Sequence, residues 1–101
     1  MLIAGVVIET TRGAAPRVAA RLLRERGLEL HGGDGDCRVA VVFTAPDAAA
    51  LEALSERLIH DDAEVLGVFP TYVADEAEGR ATRASAREAL RAALHREDGG
   101  H

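Results

Sequence analysis

The chain has 101 residues, 48% hydrophobic and 29% charged, with a formal net charge of −5. That length suits one domain with a single modest core, and the acidic balance lacks the basic stripe that a nucleic-acid partner requires. One cysteine excludes an intrachain disulfide, and no run reaches the roughly 18 apolar residues of a membrane span.

Aromatic residues make up only 3% of the chain and Trp is absent, so the core has to be built from Val, Leu, Ile and Ala. The opening LIAGVVI has no basic flank of the kind that begins a signal peptide. A cytoplasmic location with no membrane insertion is the expectation.

Leu2 to Glu9 reads as the first strand. Polar Glu9 shares a side with Ile3, Gly5 and Val7, which assigns Ala4, Val6 and Ile8 to the core by parity. After a turn at Thr10–Gly13, Pro16 suits the opening of a helix that spans about Ala14 to Arg26. Val18, Leu22 and Leu23 are assigned to its inner side, Arg17, Arg21 and Arg24 to water, and Gly27 to the stop.

Leu28 to Gly32 is a short strand with Leu28 and Leu30 on one side and Glu29 and His31 on the other. Gly33 to Asp36 has hairpin chemistry and delivers the chain into CRVAVVFT, Cys37 to Thr44. In this central strand Val39, Val41 and Phe43 form a bulky side, while Arg38, Ala40, Val42 and Thr44 form a smoother, half-polar one. Asp47 is placed to cap a second helix with Leu51, Leu54, Leu58 and Ile59 at helical spacing, ending near His60. Glu64 to Val73 is the fourth strand, and Pro70 makes it an edge.

The order strand, helix, strand, strand, helix, strand, joined by right-handed crossovers, gives the ferredoxin-like βαββαβ arrangement over residues 1–74. This is an α+β fold, a four-stranded antiparallel sheet with two helices on one face. Residues 75–101 form a C-terminal extension, helical from Asp75 to Glu97 with a stripe of Ala86, Ala89, Leu90, Ala93 and Leu94, then a frayed end at Asp98–His101. That stripe suits packing on the open sheet face, packing on another subunit, or projection into solvent.

No residue pattern marks a reaction centre. Cys37 and His31 flank a hairpin but fall short of the three ligands a zinc site needs, so no metal and no cofactor are assigned. His60, Asp61 and Asp62 lie in a helix-to-strand loop with no nucleophile nearby. The GGDGD turn carries two carboxylates and opens no helix, both wrong for cradling phosphate. Arg17, Arg21 and Arg24 form a solvated helix face diluted by Glu25 and Glu29, and Phe69 alone on the sheet cannot provide the aromatic pair that stacks bases. The chain reads as a binding protein, not an enzyme.

The open sheet face is therefore the candidate site. Parity assigns to it Ile3, Gly5, Val7 and Glu9, then Arg38, Ala40, Val42 and Thr44, then Val65, Gly67, Phe69 and Thr71. Its smooth centre suits an amphipathic helix or an extended peptide, oriented by weak rim charges. A small-molecule regulatory module of the same fold, with two sheets pairing as a homodimer, and a dimerisation domain using the C-terminal helix are the alternatives.

The segments IAGVVIE, RGLELHGGDGDCRVAVVFTAPD and EVLGVFPTYVADE resemble the NapD family of assembly chaperones for periplasmic nitrate reductase, from Leu2 to about Glu76. The resemblance implies a small cytoplasmic ferredoxin-like protein that binds the twin-arginine signal peptide of the molybdenum-containing catalytic subunit and delays export until the cofactor is in place. It implies peptide binding by Gly5, Val7, Glu9, Ala40, Val42 and Phe69, to which the face adds Arg38 and Thr71. The amphipathicity of the C-terminal helix, and nothing in the resemblance, makes it a candidate built-in occupant of the peptide site.

Overall fold

Strict alternation over β1 (Leu2–Thr10) gives this strand two different interiors to serve. The computed structural model describes residues 1–75 and 83–99, and in it Ala4, Val6 and Ile8 face one helical layer while Ile3 and Val7 face another. The remaining elements are α1 (Ala15–Leu22), β2 (Leu28–Gly33), β3 (Arg38–Ala45), α2 (Ala48–Asp61), β4 (Val65–Asp75) and α3 (Arg83–Gly99). The strands lie in the order β2-β3-β1-β4, all neighbours antiparallel, which is the ferredoxin-like sheet, with α3 added at its C-terminal end.

The main core lies between the sheet and α1 and α2. Val39, Val41 and Phe43 meet Ala4, Val6 and Ile8 there, with Val18 and Leu22 from α1 and Leu51, Leu54 and Leu58 from α2. Asp47 caps α2 as its spacing predicts, its Oδ1 accepting from the Ala50 N–H at 3.0 Å. The hairpin between β2 and β3 is organised by Asp34, whose carboxylate accepts from the backbone N–H groups of Asp36, Cys37 and Arg38. Desolvation works against the charged form of Asp34, but those three donors and the nearby Arg38 outweigh it and hold the carboxyl below its ordinary value.

Several expectations are corrected. Helix α1 ends at Leu22, four residues before Arg26, and Leu23 is 69% exposed because the chain has already left the helix when it reaches that side. Ile59 is likewise exposed, lying past the edge of the stripe that α2 buries. Strand β4 is an edge strand as Pro70 requires, but two register shifts change its parity. Leu66 is the extra residue between the pairs Glu9↔Gly67 and Thr10↔Val65, and Thr71 between Gly5↔Tyr72 and Val6↔Pro70. Val65 is therefore in the main core, not on the opposite face, while Tyr72 moves onto that face. At the other end β4 runs to Asp75 and α3 to Gly99, so the helix does not begin at Asp75 or stop at Glu97. The expected helix from Glu76 to Thr82 and the frayed Gly100 and His101 lie outside the described residues.

The arginines of α1 are not merely solvated. Arg17 donates to Glu64 at 2.6 Å, and Arg21 donates to both Asp62 at 2.9 Å and Glu64 at 2.8 Å, tying α1 to the loop before β4. Hydrogen bonds from Arg17 and then Arg21 lower the Glu64 carboxyl from 4.5 to about 2. A depressed folded value means that the unfolded chain takes up the proton first as the solution is acidified. The stabilisation from Glu64 is complete above about pH 4.5 and is lost as the pH falls toward 2. Urea midpoints measured across that interval should decline in the wild type, and Glu64→Gln should flatten the decline.

Candidate functional site: the sheet face under the C-terminal helix

The sheet face turned away from α1 and α2 is assembled by β1 and β3, whose register puts Gly5 opposite Val42, Val7 opposite Ala40 and Glu9 opposite Arg38. These side chains are small or modest at the centre and charged at one end, so the middle of the face is flat. Helix α3 lies on it. Ala86 and Leu90, 0% and 1% exposed, complete a second core with Ile3, Val7, Ala40 and Val42, flanked by Tyr72, Ala93 and Leu94.

The seat depends on Gly5. A Cβ there would come within 2.9 Å of the Ala86 carbonyl oxygen and 3.2 Å of Leu90 Cγ, so the helix backbone rests directly on the strand. Burying Leu90 contributes about 1.5–3 kcal/mol and the alanines much less, so the helix is held by few side chains. On the β2 side, Arg87 Nε lies 3.4 Å from His31 Nε2, and Arg87 Nη2 lies 3.5 Å from Glu29. The sequence face expected to be open is thus covered by the chain's own C-terminal helix, the first of the three placements its stripe allowed.

This cover divides the candidate residues into two groups. Gly5, Ala40 and Val42 are beneath α3. Val7, at the edge of that core, and Glu9, Arg38, Phe69 and Thr71 meet at the end of the face, where with Ala93 and Leu94 they line a cavity of about 260 Å³. Phe69 is 52% exposed there, and the Thr71 hydroxyl donates to the Gly5 carbonyl at 3.1 Å, which fixes the bulged residue against β1. Ile3, assigned to this face by parity, and Ala86 and Leu90 of the helical stripe belong to the same surface, and Tyr72 joins them although parity does not place it there. The signal for the helix seat was available in Gly5, a glycine inside a strand, together with an alanine at the start of a helical stripe.

Burial pushes the Cys37 thiol up, and Asp34 and Asp36 reinforce the shift, so the thiolate a nucleophile needs is disfavoured. Among the described residues no three His, Cys, Asp or Glu side chains come together to hold a metal ion, and no helix is long and apolar enough to cross a membrane. Comparisons with family models, with curated proteins and with solved structures give no match for this chain.

Proposed function

We propose that the chain is a cytoplasmic assembly chaperone that captures an amphipathic targeting helix on its sheet. The resemblance to the NapD family gives the client its identity: the twin-arginine signal peptide of a periplasmic nitrate reductase catalytic subunit, retained until its molybdenum cofactor has been inserted. The observation that supports this reading is the seating of α3, since a face that accepts Ala86 and Leu90 over Gly5 has the shape a foreign helix needs. In this reading α3 is the resident occupant and the client helix takes its place. The net charge of −5 favours encounter with a basic segment.

Calorimetric titration of the full chain with a synthetic twin-arginine signal peptide tests the proposal. Binding in the micromolar range is expected, and Phe69→Ala should weaken it by about 1–3 kcal/mol as an exposed aromatic anchor is lost. Absence of heat from the peptide with both the wild type and a variant whose α3 has been unseated would overturn it. Thermal stabilisation by free amino acids, with a stable dimer and no peptide binding, would favour the regulatory-module alternative instead.

A further inference from the structure

We propose that the pocket at the end of the sheet face is an arginine subsite, in which the Glu9 carboxylate receives a guanidinium and the Phe69 ring stacks on it. This deepens the helix-capture reading and rests on it. Glu9 is half-buried at the pocket, and its carboxylate has no hydrogen bond or ion pair among the described residues. A carboxylate so placed gains from a cation that brings its own hydrogen bonds.

The ring supplies the second half of the site. Gly67 is the β4 neighbour of Glu9, and a Cβ at Gly67 would stand 2.6 Å from Phe69 Cζ, so the ring is folded back across the glycine toward the Glu9 flank. A flat apolar surface beside an acidic group suits a planar guanidinium better than a compact ammonium, because the fork bonds the carboxylate while its plane lies on the ring. Val7 supplies an apolar wall for the methylene stem. Arg38 occupies the opposite, β3 flank with Asp34 3.6 Å away, and that carboxyl is held ionised by its three backbone donors. The incoming cation therefore approaches over Phe69, from the β4 edge.

Two synthetic peptides of one amphipathic sequence decide the matter, the first with a pair of arginines and the second with neutral, isosteric citrullines in their place. Fluorescence anisotropy with the full chain should show the arginine peptide binding about tenfold more tightly, the combined effect of one partly exposed ion pair and one cation–π contact. Glu9→Gln should reduce that preference to about threefold, the share of the cation–π contact. Equal affinities for the two peptides on the wild type would overturn the subsite while leaving helix capture intact. A preference undiminished in Glu9→Gln would also overturn it, assigning the effect to overall charge. If neither peptide binds the wild type or the unseated variant, the subsite and the helix-capture reading fall together.

Discussion

Leu90→Asp should release α3 from the sheet while the four strands, α1 and α2 stay folded. The substitution removes a side chain that is 1% exposed in the second core and puts a carboxylate among Ile3, Val7, Ala40 and Val42, where it has no partner. Because the main core on the other face uses no α3 residue among the described ones, the loss is local. Amide exchange should show α3 losing its protection, and amides of β1 and β3 keeping theirs. If the seat is the peptide site, the variant should also bind the twin-arginine peptide about tenfold or more tightly, since the competent state no longer has to compete with a resident helix. A variant that unfolds throughout would show the two interiors to be one cooperative unit, and unchanged affinity with α3 released would place the peptide elsewhere.

The mirror experiment is Ile8→Ala on the same strand. Ile8 is 1% exposed, lies between Val39 and Val68 in register, and faces α1 and α2. Truncation should cost about 2–5 kcal/mol, a large share of the 5–15 kcal/mol typical of a domain, and lower the melting midpoint by about 10–20 °C. Thermal unfolding followed by circular dichroism measures this directly. Here protection should fall everywhere at once, in contrast to Leu90→Asp. A loss under about 1 kcal/mol would mean that the main core closes around the missing atoms.

The contrast between these substitutions also shows which parts of the structure the sequence makes legible. The parity of β1 and β3 is readable because each strand alternates without interruption and ends in a charged residue, Glu9 or Arg38, that fixes which side is outward. Asp47 and Pro16 announce their helices through the backbone groups they satisfy or omit. Strand β4 is less transparent. Val65 and Leu66 are adjacent and equally apolar, so nothing in the pattern reveals that Leu66 is the bulged residue, and Pro70-Thr71-Tyr72 hides a second slip. The resting place of α3 was undetermined for an energetic reason: an alanine-rich stripe gains too little from burial to choose among surfaces. What fixes the choice is the match between Gly5 and Ala86, a tertiary fit that neither segment displays alone.

The five pocket residues drawn from the sequence do meet, and that follows from cross-strand register, since Glu9 faces both Arg38 and Gly67. The absence of an ion pair at Glu9 among the described residues and the folding of the Phe69 ring over Gly67 are set by rotamers, beyond the reach of periodicity.

Because β1 is sandwiched, it tolerates frame errors worse than an ordinary strand does. Inserting one residue after Leu2 would hand Ile3 and Val7 to α1 and α2 and turn Ala4, Val6 and Ile8 toward α3, placing the Ala4 methyl where the helix now touches bare backbone. Most two-layer sheets could hide such a slip by exposing the wrong set to solvent. This one has no wet side at its centre to absorb the mistake, so its doubled lining acts as a proofreader of its own strand alignment.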